Sequence, residues 1–344
     1  MVKSIKQEIQ LRKSYLNEAT ISSIYFGGGT PSILNKEEIE SIIKTIYHHF
    51  TIDTNAEITL ECNPDDLDKK MLTDLKEVGI NRLSIGIQSF DDDDLKFMNR
   101  SHNAKEALDC IHLAKEVGFN NITIDLIYGL PSQSNEKWKQ NLKQMLALDI
   151  QHFSAYALTV EPKTALKHLI DKKKVIPLDD TITVDHFNTL TQIATENNFI
   201  HYEISNFGKE GFFSNHNTAY WQNQHYLGVG PSAHSFNGKS RQWNVSNNKK
   251  YIEKVNSHNG YFEVEELSNA QQYNEYIFTA LRTMWGVELD YIKTQFGSEA
   301  QQYFKKQVIN WTNQGKIKQQ NNNYTLTKKG KLYADAIASD LFIV

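Results

Sequence analysis

Cysteine is scarce: Cys62 and Cys110 are the only two in 344 residues, and they stand far apart. That spacing makes no metal-ligand pair, and two such residues in a cytosolic protein are reduced thiols. An iron–sulfur cluster takes three or four thiolates, so these two hold none by themselves. Long apolar runs are absent as well, since no stretch reaches the ~18–20 residues that span a bilayer. The opening MVKSIKQEIQLRKSY is charged and helical in pattern, without the apolar centre of a secretory leader. These features predict a cytoplasmic protein with no transmembrane segment. Positive charge is not in excess either; a net charge of −4 gives no reason to expect nucleic-acid binding. Hydrophobic content of 40% and charged content of 23% exclude a coiled coil or a disordered chain. The length allows one large domain, or one large and one small.

What is present is an alternation. The β-rich runs SIYF (23–26), EITLEC (57–62), RLSIGIQSF (82–90), NITIDLIYG (121–129) and HFSAYALTV (152–160) are separated by helical patterns at 36–50, 68–79, 104–118 and 135–149. Several runs are apolar almost throughout, which predicts parallel strands covered on both faces. The repeat of about thirty residues suits successive right-handed βα units. The fold class is therefore α/β, as a whole or partial βα barrel, with a doubly wound sheet as the alternative. A helix is expected at 180–197, then a mixed stretch at 201–236 dense in aromatics and histidine, then mostly helix from about Lys249. Residues 316–342 read as a small hairpin followed by a helix, like a winged-helix tail. Few arginines and a Gln/Asn-rich hairpin favour a packing role for it. The domains are drawn at 1–240 and 241–344.

In βα folds the chemistry gathers where loops follow the strand ends. Here the strands lead to Gly27-Gly28-Gly29-Thr30, Glu61-Cys62-Asn63, Gln88-Ser89, Asp125 and Tyr156-Ala157. A triple glycine lets a ligand approach the backbone and offers N–H donors. Glu61, Gln88 and Asp125 add acceptors for hydroxyl or ammonium groups, and Arg100 suits a carboxylate. A ligand with an amino group, a carboxylate and a ribose would use them all. Plainer roles stay open: a tight glycine turn, a helix cap or ion pair for Asp125 and Glu61, and pairing of Arg100 with the acidic run 91–94.

The strings YFGGGTPS (25–32), ECNPDD (61–66), GINRLSIGIQSFDDDDLKFMNR (79–100), IDLIYGLPSQS (124–134), LTVEP (158–162) and LGVGPSAHSF (227–236) resemble one known group. It is the radical-SAM family of oxygen-independent coproporphyrinogen III oxidase, which includes a heme-chaperone branch. The resemblance implies a partial βα barrel with a mostly helical C-terminal region. It places S-adenosylmethionine on Gly28, Gly29 and Thr30 at the methionine end, with Arg100 toward the carboxylate. Glu61, Gln88 and Asp125 would serve the amino and ribose groups, and Ala157 would line the pocket. His216-Asn217-Thr218-Ala219-Tyr220-Trp221 matches the H-N-x-x-Y-W motif of the chaperone branch, associated with heme. A neutral imidazole is a good axial ligand for heme iron, and Tyr220 and Trp221 offer flat faces to a porphyrin. His216 is the candidate iron ligand, Asn217 completes the motif, and His234 is a second candidate. The plainer role for His216 is a capping or surface histidine beside core aromatics.

The family's C-x-x-x-C-x-x-C run, whose thiolates hold a [4Fe–4S] cluster, does not occur here, and the first barrel strand is missing with it. The expectation is that the natural protein begins upstream of Met1 and carries the run there; a lineage that has lost the cluster is the alternative. Without a cluster, reductive cleavage of S-adenosylmethionine has no electron source, so radical chemistry is not expected of this chain. A missing strand also predicts an apolar edge and self-association. The resemblance implies a heme chaperone that passes heme to an acceptor protein, with the respiratory chain among the candidate recipients. The alternatives are an oxidase that decarboxylates coproporphyrinogen propionates and a scaffold that uses its tail to bind a partner.

Overall fold

A helix, α1 (Val2–Leu11), precedes the alternating region. The structure, a computed structural model, describes residues 1–177 and 179–344. There follow β1 (Ile21–Phe26), α2 (Lys36–His49), β2 (Ile52–Cys62), α3 (Lys69–Glu77), β3 (Arg82–Gln88), α4 (Asp92–Phe97), α5 (Ala104–Val117), β4 (Ile122–Tyr128), α6 (Asn135–Ala147) and β5 (His152–Ala157). All five expected strands and four expected helices are present. Local signals set their ends: α5 opens on a capping box between Asn103 and Glu106 and stops at Gly118, whose φ of 96° is left-handed. Next come α7 (Ala165–Asp171), α8 (Asp180–Glu196), and the short strands β6 (Ile200–His201) and β7 (Asn206–Gly208).

One seven-stranded sheet runs in the order β1-β2-β3-β4-β5-β7-β6. Strands β2 to β5 are parallel, and β7 is antiparallel to both β5 and β6. The sheet and its helices form the expected α/β fold. One expectation fails here: the strands are not apolar on both faces. Ile58, Leu60, Leu83, Ile85, Ile124 and Phe153 are buried on one face, as a helix-covered sheet requires. The alternate positions carry Glu57, Thr59, Arg82, Ser84, Thr123, His152 and Ser154, which are also buried. Such burial needs internal partners. Arg82 donates to Thr123 Oγ1 at 2.6 Å, Asn121 Oδ1 at 2.8 Å and Glu57 Oε2 at 3.3 Å. His152 bridges Thr123 Oγ1 at 3.0 Å and the Tyr202 hydroxyl at 2.8 Å. Burial holds the imidazole well below its ordinary value, with Arg82 adding to the effect, so it is neutral.

The chain divides into two compact units: 23–36 with 57–213, and 1–22 with 37–56 and 214–344. The second contains α9 (Asn215–Trp221), β8 (His234–Phe236), β9 (Ser240–Asn244), α10 (Asn248–Asn256) and β10 (Phe262–Glu266). β8, β9 and β10 form an antiparallel sheet, and of these β10 lies in the stretch from Lys249 expected to be mostly helical, a strand that its brevity concealed. α11 (Asn269–Leu281), β11 (Val287–Glu288), α12 (Leu289–Phe296), α13 (Ser298–Asn313), the hairpin β12 (Ile317–Gln320) and β13 (Asn323–Leu326), α14 (Lys328–Lys331) and α15 (Ala334–Asp340) complete it. The hairpin and following helices match the winged-helix-like expectation. Within this unit α1 is fastened by Glu8, a buried carboxylate that accepts from Tyr251 Oη at 2.5 Å, Asn244 Nδ2 at 2.8 Å and Gly230 N at 2.9 Å. Among the described residues no helix is long and apolar enough to cross a membrane.

Candidate functional site

The end of β1 turns at Gly27, where a side chain would not fit: a Cβ would lie 2.5 Å from Tyr25 Cε1 and 2.9 Å from Glu61 Oε1. That closeness lets the glycine loop close onto β2. Glu61 accepts from the Tyr25 hydroxyl at 2.7 Å and from the Gly28 N–H at 3.1 Å. The Gly28 donor, expected to face a ligand, is therefore directed at Glu61. Each carboxylate oxygen keeps a further lone pair for an ammonium donor. Gly29 follows with a φ of 104°, and Thr30 leads into the short turn Pro31–Ile33.

On β3 the register shifts between Ile85 and Gln88, and Gln88 takes a left-handed φ of 68°. The bulge re-aims its side chain. Gly86 leaves room for it: a Cβ there would lie 2.9 Å from Gln88 Nε2 and 3.4 Å from Arg100 Nη2. Arg100 donates to Asn63 Oδ1 at 3.0 Å and Gly86 O at 3.3 Å. It does not join the acidic run. Asp91 instead caps α4 and pairs with Lys137 at 3.0 Å. Asp125 lies within β4 rather than at a helix cap, opposite Ser154 on β5. Burial raises its carboxyl to about 6; Glu61 adds to the rise, while Ser154, Arg82 and Arg100 oppose it. The structure thus brings Glu61 and Arg100 each within electrostatic reach of Asp125. Ala157 ends β5 and is exposed.

Asn63, expected only as a strand-end residue, holds Arg100, while Tyr25 and Ser154, which hold or face these groups, were not singled out from sequence. Tyr25 and Ser154 were legible in principle from the period-two alternation along their strands.

The thiols do not suit metal binding. Cys62 and Cys110 are buried and free. Burial pushes Cys62 far up and Cys110 up to about 12, so neither is a thiolate near neutral pH. Among the described residues no group of three or more His, Cys, Asp or Glu side chains could hold a metal ion. The residues of this chain therefore do not fit a [4Fe–4S] cluster.

In the other unit, the histidine motif folds as the seven-residue helix α9, capped by Ser214 through the Asn217 N–H at 3.3 Å. The capping role considered for His216 thus belongs to Ser214. His216 is half-buried, and burial pushes its imidazole down to about 4. The ring is neutral at physiological pH, the state that a metal ligand requires. Tyr220 is 43% exposed. Its ring lies 5.6 Å from Trp221, edge to face, and 5.5 Å from Tyr226. Tyr226 is tied to Phe236 by reciprocal backbone hydrogen bonds of 2.9 and 3.0 Å. His234, on β8, is exposed, with its ring 6.5 Å from Trp243. Two arginines unforeseen from sequence flank these aromatics, Arg241 beside Tyr226 and Arg282 near Trp221. Their proximity is tertiary and leaves no local sequence signal.

Two sequence families match the chain: the Radical SAM superfamily over residues 2–145 and the HemN C-terminal domain over 267–333. Escherichia coli coproporphyrinogen III oxidase (HemN), described as a radical SAM enzyme, superposes with a TM-score of 0.84. That superposition covers 99% of this chain and 82% of the other at 22% sequence identity, so the likeness is one of fold. The class is thereby defined as radical SAM. Relatives narrow it further. The heme chaperone HemW of Bacillus subtilis is 32% identical over 337 residues, 97% of this chain and 89% of that protein. HemW of Lactococcus lactis is 32% identical over 311 residues, 90% of this chain and 82% of that protein. The chain belongs to the HemW heme-chaperone family.

Proposed function

We propose that this chain binds heme at α9 and passes it to an acceptor protein. The observation that carries this reading is the state of His216: half-buried, held neutral, and set on a short helix with Tyr220 and Trp221. A neutral imidazole gives its lone pair to iron, and the adjacent rings cover the apolar macrocycle. Asn217 serves through its backbone, which fastens the helix start to Ser214. Membership of a family whose relatives are named heme chaperones supports the same reading. The oxidase alternative has only the fold likeness behind it.

The strand-end rim is proposed to hold S-adenosylmethionine. Glu61 keeps lone pairs for the amino group, Arg100 takes the carboxylate, and Gln88 and Asp125 face the ribose. Gly28, Gly29 and Thr30 pass along the methionine end, and Ala157 lines the opening. Bound there, S-adenosylmethionine supplies a sulfonium centre. The chain's own residues orient it: Tyr25 and Gly28 fix the Glu61 carboxylate, and Asn63 fixes the Arg100 guanidinium.

A heme titration of this chain followed by absorption, beside His216→Ala, tests the reading. Saturable binding that weakens by about tenfold or more in the variant is expected. Unaltered binding would remove His216 from the site.

A further inference from the structure

The α9 segment has a cation at its edge, and its ion pair with an exposed carboxylate is replaceable. The Arg282 guanidinium, just beyond α11, lies 4.2 Å over the Phe278 ring centre and 6.0 Å from that of Trp221. It donates to Asp335; the Arg282 side chain is 14% exposed and that of Asp335 is 78% exposed. An ion pair with so exposed a carboxylate is screened by water and holds its partner weakly. Arg241 differs. Its Nε and Nη2 fork onto Glu275, with both side chains 23% exposed, and a two-pronged, half-buried pair resists exchange.

We infer that Arg282 receives a propionate of the porphyrin bound at α9, taking it in exchange for Asp335. The inference rests on the heme reading above. Heme is a flat apolar macrocycle with two carboxylate tails on one edge. A site for it therefore joins an aromatic face to a guanidinium at the rim of that face. Trp221 supplies the face within the motif, and Phe278, 36% exposed, extends it while bracing the guanidinium plane. The exchange is one carboxylate for another. Arg282 stays paired throughout, and Asp335 returns to the water in which most of its side chain already stands. Arg282 then distinguishes porphyrins with ionised propionates from those without.

The test compares ferric heme with its dimethyl ester, whose propionates carry no charge, titrated into this chain and variants and followed by absorption. The wild type is expected to bind the free acid about tenfold more tightly than the ester, the scale of one charge-assisted contact. Arg282→Gln should lose that preference by weakening the free acid while leaving the ester unchanged. Asp335→Asn, which removes the competing carboxylate, should tighten the free acid several-fold and not the ester. If the wild type binds acid and ester equally, the role of Arg282 is overturned while heme binding stands. If the wild type binds neither, the heme reading falls and this inference with it. Should Arg282→Gln fail to fold, the ester comparison and Asp335→Asn still decide the matter.

Discussion

At the strand-end rim each charged group is held by neighbouring elements before any ligand arrives. Glu61 is gripped by Tyr25 and Gly28, Arg100 by Asn63 and Gly86, and the floor beneath is a buried polar lattice built on Arg82 and His152. Around α9 the groups are held otherwise. A seven-residue helix presents a neutral imidazole and an exposed tyrosine, whose ring packs against Trp221 and Tyr226. The rim suits a small polar ligand that must be held in one orientation, because its donors and acceptors are fixed in advance. The α9 segment suits a large apolar cargo that must also leave. Contact over flat faces is broad and weakly directional, so release breaks few oriented bonds.

This contrast can be broken first at the rim's floor, where the largest effect is expected. Arg82→Met removes a guanidinium that is 1% exposed and breaks its buried pair with Glu57, 6% exposed. Stripping one member from a buried pair costs about 3–5 kcal/mol. Chemical denaturation should show a loss of that size in the unit containing the sheet. A loss below about 1 kcal/mol would mean that the lattice is not what supports the rim.

Much of this architecture was legible in the sequence. The five strands and the helices between them emerged because each βα unit repeats the same local signals, such as the capping box before α5 and the left-handed glycines Gly79 and Gly118 at helix ends. The strand-end position of Glu61, Gln88 and Ala157 followed from that repeat, whereas Asp125 stands in the middle of β4. The polar inner face was missed although its signal was present. Arg82-Leu83-Ser84-Ile85 alternates with period two, but reading the run as uniformly apolar hid Arg82 and Ser84. The bulge that turns Gln88 and the approach of Arg282 to Trp221 were not legible. Both depend on register and packing between elements, which no local pattern encodes.

A smaller, opposite effect is expected at Asp125, two inward-facing rows beyond Arg82 in the sheet. An isolated aspartate titrates near 3.9, as Asp125 would in the unfolded chain, whereas burial raises it to about 6 in the fold. Between those values the native state binds more protons than the unfolded state, so stability falls as pH rises through about 4 to 6. The cost is complete above about 6. Asp125→Asn lacks this titration, so it should be more stable than wild type by about 1–3 kcal/mol at pH 7. The gain should vanish below pH 4. Unfolding free energies measured across that range check it, and a variant less stable at pH 7 would show that the carboxylate earns its place through a native bond instead. Weaker S-adenosylmethionine binding in the same variant would make Asp125 a residue kept for its ligand at a cost in stability.

The smallest effect is predicted at α9, and there the absence of change is the informative result. A proton and an iron atom compete for the same imidazole lone pair, so a histidine ligand loses affinity as pH falls through its own titration. Burial sets His216 at about 4. Its neutral form therefore predominates from pH 8 to pH 5, and heme affinity through this ligand should change less than about twofold over that range. An ordinary histidine, titrating near 6.5, would lose well over tenfold by pH 5. Heme titrations at pH 8, 6.5 and 5 separate the two cases. A flat profile that steepens toward pH 4 assigns the iron to a half-buried imidazole on α9. A midpoint near 6.5 would move the iron to another histidine and reduce α9 to an aromatic wall.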